Sequence, residues 1–129
     1  YLSSLLANKG YQVTGVDLSI DYIKRNNFNI VYMNGNVEEL PFTDKKFDTV
    51  VCTHTLEHVQ NFEKALAELR RVTKKRLIIV VPKQKEFKYT FDLHLRFFPD
   101  LDNFLKKVGA KGEYKCAELD GDIYYLEIS

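Results

Sequence analysis

Two uncharged apolar runs dominate the hydrophobic pattern of the chain. Residues 49–53 are β-branched residues and one cysteine, and residues 77–81 are Leu, Ile and Val. Short apolar runs of this kind are typical of strands buried on both faces of a parallel sheet. Shorter strand-like runs precede them at residues 13–16 and 30–33. We therefore expect a parallel sheet with residues 49–53 in its interior.

Helical patterns separate these runs. The first has a leucine-rich face and stops at Gly10, the second follows a predicted N-cap at Ser19, and the third follows a predicted N-cap at Asn61. The fourth starts with Pro99 as its first residue and stops at Gly109. The apolar stripe after Asn61 consists of Phe62, Ala65, Leu66, Leu69 and Val72. Strands that alternate with helices predict a parallel sheet with helices on both faces.

The last part of the chain has a different pattern. Residues 113–118 and 122–128 read as strands, and Asp120-Gly121 between them is a hairpin signal. The predicted fold class is therefore α/β, a Rossmann-like doubly wound, mainly parallel sheet with a C-terminal antiparallel hairpin. We expect residues 1–129 to form a single domain.

Composition narrows the functional classes. The 19 basic and 18 acidic residues nearly cancel, so no basic field indicates a nucleic-acid partner. No apolar run has the length of a membrane span. The two cysteines, Cys52 and Cys116, lie in apolar strand-like runs, which favours free thiols and a cytoplasmic location.

A polar cluster follows the strand at residues 47–53. His54, Glu57 and His58 stand at positions i, i+3 and i+4, so they share one face if the chain turns helical there. In open α/β sheets, ligands and catalytic groups gather just beyond the carboxyl ends of the strands. We therefore expect the chemistry of the protein at this strand exit.

Four motifs carry a resemblance to a known family. They are GVDLS at residues 15–19, GNVEELPF at 35–42, FDTVVCTHTLEHV at 47–59 and HLRFFP at 94–99. Their order and spacing resemble class I S-adenosylmethionine-dependent methyltransferases of the ubiquinone/menaquinone-biosynthesis group. The resemblance implies an enzyme that transfers a methyl group from S-adenosylmethionine to a small-molecule acceptor.

The resemblance also assigns residues to the cofactor. Asp17 would accept hydrogen bonds from both ribose hydroxyls, and Asn36 stands where the family usually has an acid that accepts from the adenine amino group. The backbone N–H of Val37 would bind an adenine ring nitrogen, and Leu18 would lie against the ring. The full set implied for the cofactor is Asp17, Leu18, Asn36, Val37 and Thr53.

One family feature does not occur in this sequence. The family's first strand and the glycine-rich cofactor loop that follows it would both stand before Tyr1, so we expect the first strand to be missing from the sheet beside residues 47–53. We therefore expect weak cofactor binding, with the gap beside residues 47–53 closed by a neighbouring strand, by a distortion or by a second copy in a homo-oligomer. An alternative is a non-catalytic, methyltransferase-like binding module.

The His-Glu-His cluster has several interpretations. His54 or His58 could be the base that deprotonates the acceptor. A metal-assisted O-methyltransferase would instead use His54, Glu57 and His58 with His94 as a fourth ligand, although we assign no metal. The order H-x-x-E-H also matches a zinc-peptidase motif. Finally, Glu57 and His58 could simply cap or pack the turn.

The long segment at residues 83–98 is rich in aromatic residues. Its aromatic side chains predict that it walls the substrate pocket, with His94 close to His54 and Glu57. The alternative is that Phe91, Phe97 and Phe98 cover the sheet.

Overall fold

The computed structural model describes residues 2–17, 30–84 and 98–129. The chain divides into two compact units, Tyr1–Pro41 and Phe42–Ser129, and the two are described separately. The helix predicted after Ser19 and most of the aromatic segment lie outside the described residues. The single-domain organisation stays a prediction.

The first unit contains one helix and two strands. Helix α1 spans Leu2–Asn8, strand β1 spans Val13–Asp17 and strand β2 spans Ile30–Asn34. The strands pair in parallel, with Val13 beside Ile30 and Asp17 beside Asn34. On α1 the buried residue is Ala7, whereas Leu2 and Leu5 of the predicted apolar face are exposed.

The second unit is built on a four-stranded sheet. Its strands are β3 (Phe47–Thr53), β4 (Thr73–Pro82), β5 (Glu113–Leu119) and β6 (Asp122–Ile128), in the order β3-β4-β6-β5. Strands β3 and β4 are parallel, and β6 is antiparallel to both of its neighbours. The predicted hairpin is confirmed, because Asp120 and Gly121 join β5 to β6 with φ values of 51° and 81°.

The predicted interior position of residues 49–53 is wrong for the described chain. Strand β3 lies at an edge of its sheet and pairs only with β4 among the described residues. Within β3 only Cys52 is buried, and Val51 is exposed. The strand with neighbours on both sides is β4, where Leu77, Ile79 and Val81 are all buried. An uncharged run indicates apolar surroundings, but it does not fix how many strands lie beside it.

Two helices pack against this sheet. Helix α2 spans Phe62–Val72 and its predicted N-cap is confirmed, because Asn61 Oδ1 accepts from the backbone N–H of Lys64 at 3.0 Å. All five residues of the predicted stripe are buried. Thr73 follows at once as the first residue of β4, so the strand is longer than the predicted apolar run.

Helix α3 spans Leu101–Val108 and corrects one prediction. Asp100 is the N-cap and its side chain accepts from the backbone N–H of Asn103 at 2.8 Å. Pro99 therefore precedes the cap and is not the first helical residue. A carboxylate at position 100 satisfies a free helical N–H, which proline cannot do. The predicted stop at Gly109 is confirmed by its left-handed φ of 60°.

Arg70 joins three elements of the second unit. Its guanidinium donates to both carboxylate oxygens of Glu127 on β6, at 3.0 and 2.7 Å. It also donates to the carbonyl oxygens of Val108 and Gly109 at the end of α3. Tyr125 completes the set by donating its hydroxyl to Glu127 at 2.7 Å. Helix α2, helix α3 and strand β6 are therefore held by one partly buried ionic network.

The described part of the chain has no helix that is both long enough and apolar enough to cross a membrane.

Candidate functional site

In the first unit the candidate residues meet where β1 and β2 end. Parallel pairing sets the backbone of Asp17 beside that of Asn34, so both carboxyl ends lie together. This is the edge of an α/β sheet at which ligands usually bind. The predicted cofactor residue Asp17 therefore has the expected backbone position. Leu18 lies outside the described residues.

The turn after β2 carries the other candidates. Asn36 accepts through its side chain from the backbone N–H of Glu38 and through its own carbonyl from Glu39, each at 2.9 Å. This local turn uses one acceptor position of the exposed Asn36 Oδ1 and leaves the second. Val37, at the tip of the turn, is half-buried. Carboxylate and amide acceptors of this kind suit the hydroxyl and amino donors of a nucleoside, and the cofactor role stays a prediction.

Close packing holds this turn against β1. A Cβ atom on Gly35 would lie 2.7 Å from Cγ1 of Val16, which is too close for any side chain without movement. Because residue 35 is glycine, the turn at Asn36 can pack closely against the end of β1.

In the second unit the candidate residues lie at or just beyond the carboxyl end of β3. The surface that Thr53, His54 and the residues beside them form there is called the rim. Thr53, a predicted cofactor residue, is exposed, and its carbonyl accepts from the hydroxyl of Thr55 at 3.1 Å. His54 follows with a left-handed φ of 50°, while its N–H still donates to the carbonyl of Val80 at 2.9 Å. A non-glycine residue in this conformation costs roughly 1–2 kcal/mol.

This conformation overturns the expected helical face. Because the backbone of His54 is left-handed, residues 55–58 form a turn, and helix α2 begins only at Phe62. His54, Glu57 and His58 therefore do not share one helical face. His54 is directed instead to Asp122, the first residue of β6, with 3.3 Å between its Nε2 and Asp122 Oδ2.

Asp122 is the residue that sequence reasoning missed at this rim. It lies 68 positions from His54, and only the pairing of β4 with β6 brings it close. Pro82 is its partner on β4, and the neighbouring Lys83 N–H donates to the Gly121 carbonyl at 2.8 Å. The available signal is a carboxylate directly after the Asp120-Gly121 turn, at a position that the pattern assigns only to the start of a strand.

Glu57 is the most deeply buried charged group near the rim, with 1% of its surface exposed. Neither of its carboxylate oxygens accepts a hydrogen bond from any described residue. His58 lies beside it, with 3.6 Å between His58 Nε2 and Glu57 Oε1, and the His58 N–H donates to the Thr55 carbonyl at 3.0 Å. The pair thus packs the turn, as one of the sequence interpretations expected.

The metal-assisted alternative has no support from the described residues. Across residues 2–17, 30–84 and 98–129, no three histidine, cysteine or acidic side chains are grouped so that they could hold a metal ion. His94, the fourth ligand of that hypothesis, lies outside them.

Cys52 lies on β3, two residues before His54. Burial raises the pKa of its thiol to about 12, and the nearby Glu57 carboxylate adds to the rise, against a lowering by a hydrogen bond with Thr55. A thiol held in its neutral form is a poor nucleophile, so Cys52 is a core residue rather than a reactive one. Both cysteines are free thiols.

The aromatic segment is described only at its end. Phe98 is fully buried and its ring packs against those of Phe62 and Phe104, with centroids 5.9 and 5.4 Å apart. Phe98 is therefore a core residue and not a pocket wall, as the alternative interpretation expected. The remaining aromatic residues of the segment lie outside the described residues, and so does His94.

A surface cavity of about 350 Å³ opens at the other end of the sheet. It is lined in part by Arg70 and Glu127, beside Thr73 and Ile128. Thr73 is the first residue of β4, whereas His54 bonds to Val80 near the end of that strand. This cavity is therefore not part of the rim around His54.

Known proteins resemble this chain in sequence and fold. Residues 1–81 match a family model described as a methyltransferase domain. An uncharacterized protein of Methanocaldococcus jannaschii is 37% identical over 116 residues, covering 88% of this chain and 47% of that protein. A ubiquinone biosynthesis O-methyltransferase of Rickettsia bellii is 29% identical over 87 residues, covering 61% of this chain and 36% of that enzyme. The chain thus spans less than half the length of these curated relatives.

A solved structure supports the fold class. A SAM-dependent methyltransferase of Thermotoga maritima superimposes with a TM-score of 0.71 at 18% identity, covering 99% of this chain and 88% of that one. The predicted α/β class, with a mainly parallel Rossmann-like arrangement and an antiparallel hairpin, is confirmed by this likeness and by the described strands.

Proposed function

The chain belongs to the methyltransferase domain family, and on that premise we propose that it is an enzyme that transfers a methyl group from S-adenosylmethionine to a small-molecule acceptor. The observation that carries the proposal is the family match over residues 1–81, which includes the strand ends at Asp17 and Asn34 and the rim at His54. We also propose a cytoplasmic location, because both cysteines are free thiols.

Two competing functions lack a supporting observation. The relatives whose printed names state an activity are methyltransferases, which gives no support to a non-catalytic binding module. The described residues bring together no metal-binding group, which gives none to metal assistance.

In this proposal the chain contributes orientation and proton transfer. Bound S-adenosylmethionine supplies a methyl group on a positively charged sulfur. The acceptor atom must approach that methyl group in line, so the first task of the protein is to hold both partners in place. The second task, for a weakly acidic hydroxyl acceptor, is to remove a proton, for which His54 and His58 are the proposed bases.

We assign the nucleoside end of the cofactor to the first unit. The carboxylate of Asp17 would accept from the two ribose hydroxyls, and the remaining acceptor position of Asn36 Oδ1 would accept from the adenine amino group. The Val37 N–H would donate to a ring nitrogen. Binding of adenosine alone therefore tests the assignment without any methyl acceptor.

The experiment is an NMR titration of the chain with adenosine and with 2′,3′-dideoxyadenosine. We expect saturable amide shifts at residues 13–17 and 34–38, and weaker binding of the dideoxy compound. Asp17→Ala should weaken adenosine binding by roughly 1.5–3 kcal/mol, tenfold or more, because bonds to a charged acceptor are lost.

The matched control is Asp48→Ala. It removes one exposed carboxylate at the amino end of β3, so adenosine affinity should not change. The dideoxy compound should bind the wild type and Asp17→Ala equally, because it lacks the hydroxyls. Equal adenosine affinity in the wild type and Asp17→Ala, or no saturable shifts at all, would reject the assignment.

A further inference from the structure

His54 and Asp122 form a pair at the exit of β3. The side chain of His54 is 52% exposed and that of Asp122 is 25% exposed, with 3.3 Å between His54 Nε2 and Asp122 Oδ2. Glu118, another acid of this hairpin, is bonded to Lys83 at 3.0 Å. Among the described residues, the side chain of Asp122 pairs with His54.

The backbone fixes both members of the pair. His54 has a left-handed φ of 50°, and its N–H donates to the Val80 carbonyl, which holds the strained residue in place. Asp122 is paired with Pro82 at the first position of β6, directly after the tight Asp120-Gly121 turn. A strained backbone such as that of His54, maintained by strand pairing, is typical of residues held for a function.

The pairing decides which imidazole nitrogen carries the proton. A carboxylate only accepts, so His54 Nε2 must be the protonated nitrogen that donates to Asp122. The other nitrogen, Nδ1, then keeps its lone pair on a side chain that is half exposed. Partners of this kind are what orient and activate a histidine base in enzymes.

We propose that Asp122 is a positioning residue that holds His54 as the Nε2–H tautomer, so that His54 Nδ1 is the atom that accepts the proton of a hydroxyl acceptor. This inference rests on the proposed methyl transfer. In the step, the acceptor oxygen forms its bond to the methyl carbon as the carbon–sulfur bond breaks, and the electron pair stays on sulfur. The oxygen's proton moves to Nδ1, and Asp122 stabilises the imidazolium until that proton passes to water. Hydroxyl acceptors are the substrate class that this arrangement suits, because they need a base.

The test measures the tautomer directly and needs neither cofactor nor acceptor. In the ¹⁵N-histidine-labelled chain, long-range ¹H–¹⁵N spectra at a pH where His54 is neutral should show a protonated Nε2 and an unprotonated Nδ1 for His54. In Asp122→Asn the side-chain amide can donate to Nε2, so the tautomer should shift by a large fraction towards Nδ1–H. Asp122→Glu, which keeps the carboxylate, should restore the Nε2–H form.

Glu118→Gln is the matched control. It neutralises a carboxylate of the same hairpin that bonds Lys83 rather than His54, so the His54 spectrum should not change. Thermal unfolding of each variant checks that the fold is intact. A His54 tautomer that is the same in the wild type, Asp122→Asn and Asp122→Glu would overturn the proposal. Adenosine affinity should be unaffected by Asp122→Asn, so this test can fail or succeed independently of the cofactor assignment.

Discussion

Two buried glutamates show how differently two regions of the second unit are built. Glu127, in the region where α2, α3 and β6 meet, accepts from Arg70 and from Tyr125. Glu57, in the turn after β3, accepts from no described residue. Burial of an ionised carboxylate is costly unless hydrogen bonds compensate it. The first region is therefore organised for stability, whereas the second buries a carboxyl group whose oxygens accept no hydrogen bond from a described residue.

The titration of the Glu127 region reflects this organisation. Burial alone would raise the pKa of Glu127, but the hydrogen bonds from Arg70 and Tyr125 outweigh it and lower the pKa below its ordinary value. Burial raises the pKa of Tyr125, and its bond to Glu127 raises it further. Because the folded state favours the ionised carboxylate, the bonds of Glu127 to Arg70 and Tyr125 stabilise the fold fully at pH values above the ordinary pKa of glutamate. That stability is lost as the pH falls through the folded value.

The largest loss of stability is expected when Arg70, the cation that pairs with Glu127, is removed. Arg70→Ala leaves Glu127 without its ion pair and the α3 carbonyls of Val108 and Gly109 without a donor, so the free energy of unfolding should fall by about 3 kcal/mol in urea denaturation. Lys83→Ala is the control, because the ion pair of Lys83 with Glu118 is about 40% exposed on both sides and should matter much less. Equal losses for Arg70→Ala and Lys83→Ala would show that the network does not hold the region together.

A change of opposite sign is expected at Glu57. Glu57→Met keeps a similar shape and removes both unpaired oxygens, so it should raise the free energy of unfolding by roughly 2 kcal/mol, the cost of an unsatisfied buried polar group. Glu127→Met, made in parallel, should lower it, because it removes the acceptor of Arg70 and Tyr125. Chemical denaturation of both variants at pH 7 makes the comparison. A loss of stability in Glu57→Met would mean that the carboxyl group of Glu57 makes a favourable interaction in the fold, and the contrast between the regions would disappear.

The smallest change in stability is expected from the ionisation of Cys52, whose thiol lies near Glu57. Because the folded pKa of Cys52 is about 12 and the ordinary value is 9.0, the neutral thiol stabilises the fold fully below pH 9 and this contribution is lost as the pH rises towards 12. From these two values the loss between pH 8 and pH 10 is roughly 1 kcal/mol. Urea denaturation at both pH values should show this loss in the wild type and in Cys116→Ala, and a smaller one in Cys52→Ala. The same pH dependence in all three proteins would place the alkaline loss elsewhere, with Tyr125 as the first candidate.

Local sequence signals predicted most of the fold. The Asn61 cap, the five-residue stripe of α2, the Gly109 stop and the Asp120-Gly121 hairpin all depend on side chains within a few residues of one another, and the structure confirms each of them. The predicted start of α3 at Pro99 is two residues early, because two adjacent residues, Pro99 and Asp100, both suit a helix start and Asp100 is the cap.

Contacts between residues far apart in the sequence could not be predicted from such local signals. The edge position of β3, the Arg70 network and the Asp122 partner of His54 all depend on which strands become neighbours. The sequence pattern indicates the apolar face of an element but not which distant residues it meets, and so not how deeply that face is buried. The same limit explains why the prediction that His54, Glu57 and His58 share a helical face is wrong. The left-handed backbone of His54 occurs where its N–H donates to Val80 of the neighbouring strand β4, a contact that local sequence does not reveal.

The strand order β3-β4-β6-β5 has a consequence for synthesis of the protein on the ribosome. Strand β4 pairs with β3 on one edge and with β6 on the other. The end of β4 and the start of β6, Pro82 and Asp122, pair with each other but are about 40 residues apart in the sequence. Strand β4 is therefore synthesised well before β6. At ordinary translation rates this delay is roughly 2–8 seconds. During that time residues 77–81 are an apolar strand with a free edge, the kind of segment that aggregates or is bound by chaperones. The tight hairpin shortens the exposure, because β5 has already been made when β6 emerges and can pair with it locally before the two dock together.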